Sequence, residues 1–171
     1  MAKDAKDAKK DKVVTSLDQI SAYLNDNPDD HFNFEPDFDY KVPSGSLKLD
    51  IETGGGLGSG VHRFIGSREN GKSSAALSYA KNFQTTIPNS MVVYIKSEGR
   101  FSAEMRSRCG VDLSAEKFFC FESNVYEAVF GLMSNLVKNN PTNKRYMFIL
   151  DSVDALALRI DLERPYDEAD K

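Results

Sequence analysis

The run Gly66-Ser67-Arg68-Glu69-Asn70-Gly71-Lys72-Ser73, followed by Ser74, has the spacing of a phosphate loop: Gly, four residues, then Gly-Lys-Ser. The chemistry such spacing serves is capture of a triphosphate. Glycines let a short loop curl so that successive backbone N–H groups face an anion, and the positive end of the following helix adds its dipole. On this reading Gly66 through Ser74 cradle the phosphates of ATP. Lys72 reaches the β and γ groups, and the Ser73 hydroxyl ligates Mg²⁺. The bland alternative is a glycine-rich turn.

Two carboxylates extend the set. Asp151 follows the apolar run Tyr146–Leu150, and the tip of a buried parallel strand lies on the rim where open α/β sheets bind ligands. There Asp151 is expected to act on Mg²⁺ through a water. Glu98 stands three residues after Ile95, beside Gly99. From that place it can orient or deprotonate the water that attacks a γ-phosphate; its alternative is a solvated loop glutamate.

Such groups need elements to hold them. Val61–Ile65 reads as a short strand entering the loop. A helix from about Gly71 to Phe83 leaves it, with Ala76, Leu77, Ala80 and Phe83 on one face. Met91–Ile95 is nearly all apolar, as a strand buried on both faces should be. A helix follows at Ala103–Arg108, stopped by Gly110, then a strand at Phe118–Phe121. Asn124 and Glu127 are expected to cap a helix whose Val125, Val129, Leu132 and Leu136 form a stripe, ended by Asn139-Asn140-Pro141. Tyr146–Leu150 is the last strand, and a helix is expected to start within Ala155–Leu162. Alternation of strand and helix over short links predicts an α/β fold, a mostly parallel sheet flanked by helices.

The chain is expected to divide at about residue 40, an N-terminal arm over 1–40 preceding a core over 41–171. Residues 1–12 mix five Lys with three Asp and read as a solvated tail. Ser16 and Gln19 suggest a capping box for a helix over about 16–24, with Val14, Leu17, Ile20 and Leu24 at helical spacing. Asp26 to Tyr40 carries six acids, four aromatics and no Lys or Arg. It reads as a linker, or as an arm whose Phe32, Phe34 and Phe38 plug a neighbouring subunit. Beyond it, Leu47, Leu49 and Ile51 alternate, and Gly54–Gly60 places five glycines in seven residues.

Composition narrows the classes. In 171 residues, 40% are hydrophobic and 28% charged, and the net charge is -4. A generally basic nucleic-acid-coating protein is excluded, though not DNA binding by a local patch. No apolar run is long enough to span a membrane, and the charged start lacks the apolar core of a secretory signal. Cys109 and Cys120 with His31 and His62 make neither a disulfide framework nor a Cys/His metal site. The expected compartment is the cytoplasm.

In their order, Ser44–Ile51, the glycine turn, the phosphate loop, Tyr94-Ile95-Lys96-Ser97-Glu98, Cys109-Gly110-Val111-Asp112 and Leu150–Leu156 resemble the RecA-type recombinases. The resemblance spans about residues 41–163 and is closest to the RecA-like strand-exchange proteins of bacteria and phages. It implies an ATPase of RecA fold that forms filaments on single-stranded DNA in homologous recombination and repair. Lys72 and Ser73 would hold phosphates and Mg²⁺, Asp151 would support the metal, and Glu98 would activate water. Residues 1–40 would correspond to the family's oligomerisation arm, docking on another recombinase subunit. Met105 stands where the family commonly has a tyrosine against the adenine.

The resemblance also implies a strand between the phosphate-loop strand and the Asp151 strand, later in sequence, together with two DNA-binding loops. None is found before Lys171, so a truncated or split form is expected. Two further readings stand beside it: a nucleotide-binding module that docks on or caps filaments without catalysis, and another RecA-fold motor such as a ring helicase or clock-type ATPase.

Overall fold

A computed structural model describes residues 15–27, 40–99 and 101–164. The chain divides into two units, Met1–Asp37 and Phe38–Lys171. In the first, the described residues form helix α1 (Ser16–Asp26). Its cap lies one residue earlier than Ser16. Thr15 Oγ1 accepts from the Asp18 backbone N–H at 3.2 Å, and the Asp18 carboxylate accepts from the Thr15 N–H at 2.9 Å. Thr15 and Asp18 thus form the reciprocal pair expected of Ser16 and Gln19. No residue of α1 is buried. The tail over 1–12, Val14, and Phe32, Phe34 and Phe38 of the expected arm lie outside the described residues.

The second unit is built on three parallel strands, β1 (Ser90–Lys96), β2 (Phe118–Glu122) and β3 (Arg145–Asp151), in the order β2-β1-β3. Helices connect them: α2 (Leu47–Glu52) and α3 (Lys72–Thr86) come before β1, α4 (Ala103–Arg108) lies between β1 and β2, and α5 (Tyr126–Lys138) between β2 and β3. The chain is thus an α/β fold with a parallel sheet flanked by helices.

Strand alternation divides the core in two. Val92 and Tyr94 pack in one cluster with Leu77, Tyr79, Ala80 and Phe83 of α3. Val93 and Ile95 pack in the other with Val129 of α5. All four β1 residues are wholly inaccessible, which explains why this strand reads as an unbroken apolar run. Gln84 pins α3 to the β2 entrance. Its Nε2 donates to the Asp112 and Lys117 carbonyls, both at 2.9 Å, and its Oε1 accepts from the Asp112 N–H at 2.8 Å.

Three further sequence expectations are corrected. Val61–Ile65 is not a strand. It pairs with nothing among the described residues, and Val61 is fully exposed. β3 pairs only with β1, and the described residues include no strand between β3 and 61–65. Without a partner to take its N–H and C=O groups, an apolar segment has no ladder to join.

The alternating Leu47, Leu49 and Ile51 are helical, in α2. A tight return follows α2, where Val42 and Leu57 exchange hydrogen bonds at 2.8 and 2.9 Å. Gly56 closes it at φ +117°, where a Cβ would collide with the Val42 carbonyl.

Asn124 and Glu127 do not cap α5, whose N-cap is Val125 with no side-chain bond. They hold the chain after β3 instead: Asn124 O accepts from Ala157 N–H at 2.8 Å, and Glu127 accepts from Arg159 N–H at 3.0 Å. The helix expected to start within Ala155–Leu162 does so at Arg159: a 3-10 turn at Val153–Ala155 and the bridge at Ala157 precede the short α6 (Arg159–Glu163).

Candidate functional site

The loop of residues 66–71 turns through Glu69 at φ 62° and Gly71 at φ 75°, ψ 14°. Gly71 is the N-cap of α3, and no side chain caps this helix. The first N–H groups of a helix lack intrahelical acceptors, so α3 presents donors and its positive dipole end with no acid in its first turn. Ser67, Arg68, Glu69 and Asn70 are exposed, as are Gly66 and Ser74. Lys72 folds back on the loop, its Nζ donating to the Gly66 carbonyl at 2.9 Å and the Ser67 carbonyl at 2.7 Å. A phosphate entering the loop would compete for this ammonium with two neutral carbonyls, and a charged acceptor is the stronger partner.

At the other wall, Asp151 closes β3 and Lys96 closes β1, opposite each other in register. One oxygen of Asp151, Oδ2, accepts three bonds: from Tyr94 OH at 2.6 Å, Lys96 Nζ at 2.8 Å and Ser73 Oγ at 2.9 Å. The Lys96–Asp151 ion pair is largely screened from water, with side chains 15% and 21% exposed. Burial by itself would raise the Asp151 carboxyl, but the bonds from Lys96, Tyr94 and Ser73, with the Lys96 charge, outweigh it and hold Asp151 below the usual carboxylate range. Burial, with Asp151 as acceptor, pushes Tyr94 far above the ordinary phenol range, so it is a fixed donor. Ser97 braces the turn: its N–H donates to the Asp151 carbonyl at 3.1 Å and its hydroxyl to the Ser152 carbonyl. The Asp151–Ser152 peptide is cis.

Of the residues singled out by sequence, Ser73 and Asp151 meet directly across 78 positions of chain. Lys72 belongs to the same helix start. Glu98 is exposed on the turn after β1 and bonds with none of the described residues. Met105 is half-buried against the core cluster that holds Tyr94 and Phe101. Sequence reasoning missed Tyr94 and Lys96. The available signal was their i, i+2 spacing at the end of β1, which puts both on the face that α3 covers.

Mg²⁺ suits this donor set. Ser73 and Asp151 supply hard oxygens, and Mg²⁺ is commonly held by one or two protein oxygens together with phosphates and waters. The second Asp151 oxygen, Oδ1, accepts no hydrogen bond among the described residues. Also among them, no group of three or more His, Cys, Asp or Glu side chains could hold a metal by itself. No described helix is long and apolar enough to cross a membrane.

A parallel α/β sheet whose strand ends face an uncapped, glycine-started helix defines the class, and comparison with known proteins narrows it. The chain is 30% identical over 165 residues to the protein RecA of Mycoplasma pneumoniae, covering 93% of this chain and 47% of that one. It is 31% identical over 157 residues to RecA of Mycoplasma genitalium, covering 86% and 43%. The mitochondrial DNA repair protein recA homolog of Dictyostelium discoideum is 29% identical over 124 residues, covering 71% and 26%. On these matches the chain is placed in the RecA-type family. It spans under half the length of these curated relatives. No family model and no solved structure matches it.

Proposed function

We propose that residues 66–74 bind the phosphates of ATP and that the chain acts in a RecA-type, single-stranded-DNA-dependent ATPase of homologous recombination and repair. The observation that carries the nucleotide reading is the 2.9 Å bond between Ser73 and Asp151, which sets the loop's hydroxyl against the strand-end acid. Lys72 would exchange its loop carbonyls for the β- and γ-phosphates. Ser73 and Asp151 would hold Mg²⁺, Asp151 through a water. When bound, Mg²⁺ neutralises charge on the phosphates. Glu98 would orient the attacking water. On this reading, residues 1–40 form an arm that docks on another recombinase subunit in the cytoplasm, the DNA partner being single-stranded.

The exposure of Glu98 favours a second reading: a nucleotide-binding module that docks on or caps filaments with no turnover of its own. One experiment separates the two. Binding of a fluorescent ATP analogue and hydrolysis are measured with and without single-stranded DNA, in the native chain, Lys72→Ala and Glu98→Gln. DNA-stimulated hydrolysis lost in both variants supports the ATPase. Binding lost only in Lys72→Ala, with no hydrolysis in any chain, supports the module. No binding to the native chain overturns both.

A further inference from the structure

The Lys96 ammonium sits 2.8 Å from the same Asp151 oxygen that meets Ser73, the hydroxyl expected on the metal. We infer that Lys96 is a resident cation of the phosphate site, one that weakens the coupling between nucleotide and Mg²⁺ binding. The inference rests on the nucleotide reading above and deepens it.

The geometry supports this in three ways. First, an ammonium and a metal ion that share one carboxylate repel each other, and the repulsion is strong because the pair lies largely out of water. Second, Lys96 has little freedom to swing away. It lies at the end of the central strand, its side chain is only 15% exposed, and its partner is fixed by Tyr94 as well. Third, the site already holds two ammonium groups, Lys72 at the helix start and Lys96 at the strand end. Together they supply positive charge that a phosphate site otherwise takes from the metal. Lys96 is therefore a positioning residue: it acts on bound nucleotide through Asp151 and through its charge, and it transfers no proton.

The test is the ratio of dissociation constants for a fluorescent ATP analogue in excess EDTA and in excess Mg²⁺. For the native chain the ratio is expected to stay under about tenfold. In Lys96→Met it should rise by at least about tenfold, within the usual range of coupling between two sites. Lys96→Gln keeps a hydrogen-bond donor without the charge and should follow Lys96→Met, which covers the case of a methionine variant that does not fold. Lys96→Arg, which keeps the charge, should match the native chain. Mn²⁺ binding in the presence of ADP, read by electron paramagnetic resonance, should tighten in the two neutral variants and not in Lys96→Arg.

A native ratio above about a hundredfold, or equal ratios in all four chains, overturns the role of Lys96 and leaves nucleotide binding standing. Failure of the native chain to bind the analogue with or without Mg²⁺ overturns the nucleotide reading, and this inference with it.

Discussion

The two flanks of the glycine-rich loop at residues 66–71 differ sharply. On one side α3 buries Leu77, Tyr79, Ala80 and Phe83 against β1. On the other, Val61 and Ile65 are 100% and 81% exposed. Among the described residues, one ring contact ties this segment to the core, Phe64 stacked on Tyr79 with centroids 5.9 Å apart. Both flanks read as apolar structure in sequence. The difference shows that an amphipathic helix needs only a face to cover, whereas a strand needs a neighbouring backbone in register. The loop is accordingly anchored by the helix that leaves it, and only lightly by the chain that enters it.

The comparison can be broken from its strong side first. Phe83→Ala removes a side chain only 2% exposed and should cost about 3–5 kcal/mol in urea unfolding, a large part of the stability of an ordinary domain. Gln84→Ala leaves the Asp112 N–H and carbonyl without their Gln84 partner and takes one of two bonds from the Lys117 carbonyl, which keeps the Val92 N–H. The same unfolding measurement should show a loss of about 1–3 kcal/mol.

Acid probes the point where α3 meets β3. Because Asp151 is held below its ordinary range in the fold, its contribution is fully present above the unfolded-state carboxylate range. It is lost as the pH falls through the lower folded value. Unfolding midpoints should fall on acidification, and Asp151→Asn should flatten the part of the slope that Asp151 supplies. Asp50 and Asp112, lowered chiefly by the hydrogen bonds they accept from Ser44 and Ser114, act in the same direction.

The weak flank should respond least. Phe64→Ala loses one ring stack on the buried Tyr79 and should cost about 0.5–1.5 kcal/mol. Val61→Ala should change stability by less than about 0.5 kcal/mol. A Val61→Ala loss as large as that of Phe83→Ala would mean that 61–65 is packed, and the contrast between the flanks would fail.

Much of this architecture is legible in the residues. Four elements have local causes and appear close to where the pattern puts them: the apolar run of β1, the helix after the loop, Ala103–Arg108, and the strand ending at Asp151. Their periodicity and end signals lie within a few residues of one another. Misreadings cluster where a distant segment decides. Asn124 and Glu127 have the right types and spacing for a cap, yet the chain after β3 takes the Glu127 carboxylate and the Asn124 backbone carbonyl. Leu47, Leu49 and Ile51 alternate like a strand, but among the described residues no strand pairs with them and the segment closes as a helix.

The candidate site divides in the same way. Glycine spacing, Lys72 and Ser73 are local, because this loop is one turn followed by one helix start. Sequence alone therefore determined the loop, its helix and the identity of the acid at the end of β3. Only the tertiary structure decided that Asp151 meets Ser73, Tyr94 and Lys96 on a single oxygen. It also decided that Lys96, unremarkable in sequence, lies opposite Asp151. The reason is physical: strand register places side chains beside one another across 55 positions of chain. Register is set by the packing of both faces of the sheet, which no local pattern contains.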